Sequence, residues 1–348
     1  MNILGIETSC DETAAALVRG RRVLHSVVFS QAKLHGPYGG VVPEIASRSH
    51  LESLWSVVEE ALSAAGKGWP DVDAVAATYG PGLASSLLVG LAMAKGLALR
   101  LDRPLCAVNH LEAHLYSVFL GADRPSPEEL CPFLSLIVSG GHTCLVRVAE
   151  IGGYELLGQT VDDAAGEAFD KGANLLGLGY PGGPAIDRVS AGGDAGFIKF
   201  PRGRQKSDRF RFGDMDPDLC FSFSGVKTAL LYYLKEHPLS AGGGELASLA
   251  ASYQEAIVDA LVQRCDRAVR AGETLSVVGG VSLNSRLRSR LGELAQARSL
   301  RLVLPEPQFC ADNAAMVAAV AAAGQGIWGE AAMSVDADPN LEICADSG

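Results

Sequence analysis

The sequence predicts an α/β protein built from two similar lobes. Residues 2–18 and 133–148 repeat one pattern, in which two apolar strand-like runs surround a short turn of small and hydroxyl side chains. Each copy is followed by alternating strand and helix patterns, which is typical of α/β architecture. A third turn of this kind, at residues 279–284, lies between an apolar strand and a helix. We therefore expect a duplicated fold.

The first lobe is expected to contain residues 1–125. After its hairpin, an apolar run at 72–78 predicts a strand and residues 84–99 predict a helix. Another strand is predicted at 105–108, and a helical pattern begins at His110. A stretch near residues 122–131 contains proline and glutamate, and it marks the boundary.

The second lobe is expected over residues 126–325. After its hairpin come an acidic helix start at 162–171, a strand at 275–278 and a helix from Ser285. An alanine-rich pattern at 312–325 predicts the last helix of this lobe. Residues 326–348 then form a tail, which we expect to pack back on the first lobe.

Duplicated lobes that begin with a β-hairpin resemble the actin-like, ribonuclease-H-like fold of actin, sugar kinases and heat-shock chaperone ATPases. This resemblance implies that a ligand lies in the cleft between the lobes. Glycine pairs between strand and helix let main-chain N–H groups and the helix dipole approach a phosphate or a nucleotide sugar. Such turns also occur for purely structural reasons, so one turn alone decides nothing.

The composition limits the class of protein. With 348 residues, 48% hydrophobic, the chain can bury a large core. The N-terminus lacks the features of a signal peptide, and the apolar stretch at 83–101 contains Ser85, Ser86 and Lys95, so we expect a buried helix and no membrane span. Eight scattered cysteines without a CxxC pair argue against a disulfide scaffold and a zinc ribbon, and favour reduced thiols in the cytoplasm.

The charge balance restricts contact with nucleic acid to a small region. A formal net charge of -11 excludes a protein whose whole surface binds nucleic acid, because phosphate contacts need concentrated lysine and arginine. Residues 199–211 contain six basic side chains interleaved with aromatic ones. They are the candidate RNA contact, and a solvated loop is the alternative.

A metal site is predicted from a histidine pair. His110 and His114 lie one helical turn apart after a predicted strand, so both imidazoles share one helix face. A lone HxxxH pair is often incidental, and a third ligand is therefore needed. We expect Asp312, from the second lobe, to complete the set across the cleft. Two histidines and an aspartate with open positions suit iron(II), zinc or a similar borderline ion, and ligand type alone does not choose among them.

A metalloprotease is excluded by the position of the glutamate. Zincins carry His-Glu-x-x-His, with the glutamate next to the first histidine. Here Glu112 lies two residues from each histidine, roughly 200° around the helix, and points away from an ion that they hold.

A second group of polar residues accompanies a glycine-dense loop at residues 177–184. Asp170, Gly183 and Asp187 could bind hydroxyl groups or amines of a nucleotide. The alternative is that these residues have only a structural role, as an acidic helix start and Pro-Gly turns commonly do.

Seven motifs, in order along the chain, resemble the bacterial tRNA adenosine threonylcarbamoyltransferase family. They are 6–13 (IETSCDET), 40–50 (GVVPEIASRSH), 110–114 (HLEAH), 137–143 (IVSGGHT), 163–171 (DAAGEAFDK), 221–228 (FSFSGVKT) and 310–314 (CADNA). The resemblance implies one divalent metal per subunit, held by His110, His114 and Asp312. It also implies substrate contacts from Ile137, Val138, Ser139, Gly140, Gly141, Asp170, Gly183, Asp187 and Asn284.

The resemblance implies transfer of a threonylcarbamoyl group from threonylcarbamoyl-AMP to the adenosine 3′ of the tRNA anticodon. A carboxylate acting as general base suits this chemistry, and Asp11 or Glu12 is the candidate. The implied partners are tRNA, an inactive paralogous subunit that forms a heterodimer, and a small ATPase, with no membrane. A phosphotransferase or ATPase on the same fold is the main alternative, and a non-catalytic scaffold is another.

Overall fold

The computed structural model describes residues 1–121, 123–203, 215–239 and 244–343. The strands are β1 Asn2–Glu7, β2 Glu12–Arg19, β3 Arg22–Ser30, β4 Ala74–Gly80, β5 Leu105–Asn109, β6 Phe133–Val138, β7 Thr143–Glu150, β8 Gly153–Gln159, β9 Thr274–Val278, β10 Leu302–Val303 and β11 Ile327–Trp328. The helices are α1 Ala32–His35, α2 Pro43–Ala64, α3 Ala84–Leu101, α4 His110–Tyr116, α5 Pro127–Leu130, α6 Ala165–Leu175, α7 Gly182–Ser190, α8 Ser224–Glu236, α9 Glu245–Ala268, α10 Ser285–Arg298, α11 Ala314–Ala322 and α12 Glu330–Ser334.

The chain divides into two compact units. The first contains Met1–Glu129 and the chain from Pro305 onward, and the second is Leu130–Leu304. The sheet of the first unit has the order β11-β5-β4-β1-β2-β3, with β1, β4 and β5 parallel. The carboxyl ends of these parallel strands, at Glu7, Gly80 and Asn109, therefore lie along one edge of the sheet.

The second unit repeats this topology. Its sheet has the order β10-β9-β6-β7-β8, in which β6, β7 and β8 are antiparallel and β6, β9 and β10 are parallel. The first sheet has the same arrangement in β5-β4-β1-β2-β3. In the second unit, helices α6 and α9 pack around a core that includes Phe169, Tyr253 and Ile257. The predicted α/β architecture with two similar sheets is confirmed.

Helix α11 belongs to the first unit, where it packs on β1 and β2. Close approach depends on small residues, because a Cβ at Gly5 would lie 2.2 Å from the Ala314 carbonyl oxygen. Strand β2, on which the helix also packs, contains three consecutive buried alanines, at 14–16. The structure thus corrects the sequence-based boundary at residue 325 and the expectation that Asp312 comes from the second lobe.

Residues 326–343 also pack on the first unit. Strand β11 pairs antiparallel with β5, and α12 contacts β5 as well. Helix α3 is the one helix in the described ranges that is long and apolar enough, by length and composition, to cross a membrane. It packs against β4 and α2, and its Leu87, Leu91 and Ala94 are buried.

Candidate metal centre and substrate contacts

The two histidines occupy the start of helix α4, directly after strand β5. The Asn109 side chain caps this helix, because its Oδ1 accepts hydrogen bonds from the N–H groups of Leu111 (2.8 Å) and Glu112 (3.3 Å). His110 and His114 lie one turn apart, with ring centroids 4.7 Å apart, and both are buried. The cap and the helical spacing together fix both imidazoles at the carboxyl edge of the first sheet.

Asp312 completes the predicted cluster. It lies just before Asn313, the N-cap of α11, and one ligand atom from each of the three residues lies within 4.8 Å of the others. The Asp312 Oδ1 is 3.1 Å from the Nε2 of His114 and 3.7 Å from the Nε2 of His110. Among the described residues, this is the one group of three potential ligands that could hold a metal ion.

The surroundings of His114 fit a metal ligand. Within the described part of the chain, neither of its ring nitrogens makes a hydrogen bond, although the ring is fully buried. The 3.1 Å contact with Asp312 is close, but it lacks the geometry of an N–H···O hydrogen bond. An unsatisfied buried polar group costs about 1–3 kcal/mol. A cation bound at Nε2 would satisfy that nitrogen.

Glu7, at the end of β1, orients His110. It is completely buried and accepts hydrogen bonds from the Ser9 N–H (2.6 Å), the Thr78 hydroxyl (2.6 Å) and the Nδ1 of His110 (3.1 Å). A carboxylate that accepts a hydrogen bond from Nδ1–H directs Nε2 toward a metal, as is usual for metal-ligating histidines.

Charges in this cluster shift the pKa values of both His110 and Glu7. Burial alone lowers the pKa of His110, but the charges of Glu7 and Asp312 and the Glu7 hydrogen bond raise that pKa to about 9. Burial alone would raise the pKa of Glu7, but the attraction and hydrogen bond from His110 hold it below its ordinary value. A metal ion that binds His110 must therefore displace a proton.

Glu7 was not predicted as a functional residue from the sequence. The available signal was a carboxylate directly after the apolar run at residues 3–6, because a buried charge requires a partner. The companion residues Ser9 and Thr78 carried no such signal. Glu112, which the sequence analysis expected to point away, is not a member of the ligand cluster.

The two candidate bases are neighbours: Asp11 lies in the turn between β1 and β2, and Glu12 is the first residue of β2. The turn is held by hydrogen bonds from the Gln31 N–H to the Asp11 carbonyl (3.1 Å) and from the His50 Nε2 to the Cys10 carbonyl (2.9 Å). Burial raises the pKa of Glu12 well above its ordinary value, and the charges of Asp11 and Asp312 raise it further. Glu12 is thus a carboxyl group that binds a proton more readily than an ordinary glutamate does.

In the second unit, the predicted turn follows β6. The side chains of Ile137 and Val138 are fully buried in that strand, whereas Gly140 and Gly141 are exposed. The Ser139 N–H donates to the His142 carbonyl (2.8 Å), but within the described ranges no residue accepts from the N–H of either glycine. Two neighbouring N–H groups without an acceptor among the described residues can bind an oxyanion or a phosphate oxygen.

Three other residues that were predicted to contact the substrate form hydrogen bonds that connect neighbouring elements. Asp170 accepts from the Gly182 N–H (2.7 Å), and Asp187 accepts from the N–H (3.0 Å) and hydroxyl (2.7 Å) of Ser285. The Asn284 Oδ1 caps α10 and its Nδ2 donates to Gln254 (2.8 Å). Gly183 has room around it, because a Cβ there would meet nothing closer than 4.0 Å. These residues join α6, α7 and α10 around the glycine-rich loop.

The candidate RNA segment is described only in part, because residues 204–211 lie outside the described ranges. Of the remainder, Arg202 pairs with Asp259 (2.6 Å), and Phe200 is buried in the core of the second unit. These two side chains therefore have structural partners.

The sequence of the chain is similar to proteins of one known family. A family profile described as tRNA N6-adenosine threonylcarbamoyltransferase matches residues 22–319. A protein of that name from Anaeromyxobacter sp. (strain Fw109-5) is 53% identical over 344 residues, covering 97% of this chain and 99% of the relative. The chain belongs to this family. It is therefore a transferase. A relative of the same description from Clostridium perfringens (strain SM101 / Type A) is 45% identical to this chain, over 98% of both chains.

The fold of this chain is similar to that of solved structures of other proteins. The activator of 2-hydroxyisocaproyl-CoA dehydratase from Clostridium difficile is similar with a TM-score of 0.51 at 12% identity, over 93% of this chain and 95% of that one. HypF from T. kodakarensis is similar with a TM-score of 0.55 at 14% identity, over 93% of this chain and 47% of that one. At these identities the likeness concerns the fold alone.

Proposed function

We propose that this chain transfers a threonylcarbamoyl group from threonylcarbamoyl-AMP to the exocyclic amine of an adenosine in tRNA. The acceptor is the adenosine 3′ of the anticodon in tRNAs that read codons beginning with adenine. Family membership supports this reaction, and the His110, His114 and Asp312 cluster is the observation that carries it. A phosphotransferase on the same fold would hold magnesium through carboxylates, water and phosphates, and would not need paired buried histidines.

The cluster is proposed to hold one divalent metal, iron(II), with zinc as the alternative. The unsatisfied ring of His114 and the Glu7 hydrogen bond to His110 support this assignment. When bound, such an ion acts as a Lewis acid on a carbonyl or phosphoryl oxygen of the substrate. By accepting a hydrogen bond from Nδ1–H, Glu7 keeps the proton of the neutral His110 ring on Nδ1, so that the Nε2 lone pair is available to the metal.

The transfer step itself is an acyl substitution. The adenosine N6 forms a bond to the carbamoyl carbon, the bond from that carbon to the AMP phosphate oxygen breaks, and AMP leaves. The amine proton passes to a carboxylate, for which we propose Asp11 or Glu12. In the second unit, the N–H groups of Gly140 and Gly141 are proposed to donate to oxygens of the substrate. We assign further substrate contacts to Asp170, Gly183, Asp187 and Asn284.

A protein partner is part of the proposal. On the first unit, helices α2 and α3 line an apolar groove in which Leu51, Trp55 and Leu88 are 69%, 52% and 54% exposed. A contiguous apolar patch of this kind is typical of a protein interface. We propose that it binds the inactive paralogous subunit, and that a small ATPase also acts on the complex.

Cys106 and Cys265 are buried thiols without a disulfide, which supports a reducing cytoplasm.

The direct test follows labelled threonylcarbamoyl from its adenylate to unmodified tRNA, using the purified chain with its partners. We expect label on tRNA and an equal amount of AMP with the wild type, and loss of both with His110→Ala. A tRNA with guanosine in place of the acceptor adenosine is the matched substrate control. Hydrolysis of ATP or phosphorylation of a sugar, without label on tRNA, would contradict the proposal.

Single-turnover rates identify the base. Removing a general base lowers a rate by roughly 10²–10⁴-fold. We expect a loss of that size for one of Asp11→Asn and Glu12→Gln, with unchanged metal content. If both variants react within threefold of the wild type, neither carboxylate is the base.

A further inference from the structure

We propose that the C-terminal segment 335–343, called here the C-terminal strap, positions the metal-binding helix α4 through Asn109. The inference rests on the proposed metal site. The family profile ends at residue 319, and no sequence feature assigned this tail a function. In the structure, however, it lies on the sheet edge that carries the candidate metal ligands.

The strap is fastened to the first unit at several points. The Asp338 N–H donates to the Tyr79 carbonyl (2.8 Å), and the Gly82 N–H donates to the Pro339 carbonyl (3.2 Å). The Lys95 ammonium donates to the Val335 carbonyl (2.6 Å). These bonds hold the strap across the turn that follows β4, beside the end of β5.

Gly80 allows the strap to approach this turn. A Cβ at Gly80 would lie 2.1 Å from the Asp338 carbonyl oxygen and 2.9 Å from the Leu341 Cβ. A side chain at this position would therefore collide with strap backbone, which cannot move aside as a flexible side chain can. The absence of a side chain at Gly80 is a condition for the observed strap position.

Asn109 connects the strap to the metal ligands. Its Nδ2 donates to the Glu342 carbonyl (3.0 Å), while its Oδ1 caps α4 through the N–H groups of Leu111 and Glu112. The next residue is His110. Because an amide that is held at both ends cannot rotate, the strap fixes the cap, and the cap fixes the first turn of the helix. Asn109 is thus a positioning residue that acts through His110.

The test measures zinc affinity by competition with a chromophoric chelator. We expect Asn109→Ser to weaken Zn²⁺ binding by about three- to tenfold, because serine keeps an N-cap oxygen but is too short to reach Glu342. Ending the chain after Asp336 should have an effect of similar size. In the shortened chain, Asn109→Ser should cause little further loss, because both changes remove the same hydrogen bond. Zinc affinity within twofold of the wild type in either single variant, or losses that multiply in the double variant, would overturn the inference.

A second pair of variants leaves Asn109 and the chain length intact. Gly80→Ala should displace the strap and weaken Zn²⁺ binding three- to tenfold. The matched change Gly96→Ala, on α3, places its methyl group in open space and should leave zinc affinity unchanged. If His110→Ala also binds Zn²⁺ like the wild type, the metal site itself is refuted. If His110→Ala loses zinc while Gly80→Ala retains wild-type affinity, only the strap inference fails.

Discussion

Replacing Glu7 by glutamine should weaken metal binding without removing a ligand. Glu7 accepts three hydrogen bonds through two carboxylate oxygens. Glutamine has the same shape but only one oxygen. If that oxygen faces Thr78 and His110, the amide NH₂ opposes the Ser9 N–H. If it faces Ser9, the NH₂ points at the Nδ1 of His110, which then favours the tautomer that carries its proton on Nε2.

Either orientation harms the metal site. In the first, a donor faces a donor in a fully buried position, which costs about 1–3 kcal/mol. In the second, a proton occupies the nitrogen that faces Asp312. Loss of a partner that orients a metal ligand typically lowers metal affinity 10–100-fold, which is about 1.4–2.7 kcal/mol. We therefore expect the zinc dissociation constant of Glu7→Gln to rise by that factor.

The assay is chelator competition with Zn²⁺ on the metal-free protein. Glu112→Gln is the matched control, because Glu112 is also buried and lies between the two histidines, yet it is not part of the ligand cluster. We expect its zinc affinity to stay within twofold of the wild type. Circular dichroism of both variants verifies that the fold is retained. A Glu7→Gln protein that binds zinc as tightly as the wild type would refute the role given to Glu7.

Two further predictions concern packing and partners. Gly5→Ala should lower the free energy of unfolding by about 1–3 kcal/mol in chemical denaturation, because its methyl group collides with α11; Gly292→Ala, a helical glycine with open space, should be neutral or stabilising. Equal stability of the two variants would contradict the packing of α11 on β1. Leu51→Glu should weaken binding of the paralogous subunit at least tenfold in sedimentation or calorimetry, whereas Leu99→Glu, 71% exposed but outside the groove, should not. If both bind normally, the partner contacts another surface.

The sequence predicted those features that depend on local pattern. Both hairpins could be inferred because strand alternation and turn composition repeat, and the shared face of His110 and His114 follows from helical spacing alone. The topological duplication followed from the same repeats.

The sequence did not predict features that depend on distant packing. Asp312 was predicted as a ligand but was assigned to the wrong lobe, because α11 packs against Gly5 and the alanines of β2, and no sequence feature near residue 312 indicates that contact. The role of Glu7 depends on Thr78, which is separated from it by 71 residues in the chain. The strap is a third case, because the bond from Asn109 to Glu342 spans 233 residues.

The central claim, a metal-dependent threonylcarbamoyl transfer, is tested most directly by removing and restoring the metal. The chain is stripped with a chelator, combined with its partners, and assayed for label on tRNA before and after addition of iron(II) or zinc. The account predicts no transfer by the stripped protein, and recovery that reaches its maximum at one ion per chain. Transfer at the wild-type rate by protein with no detectable metal would contradict it.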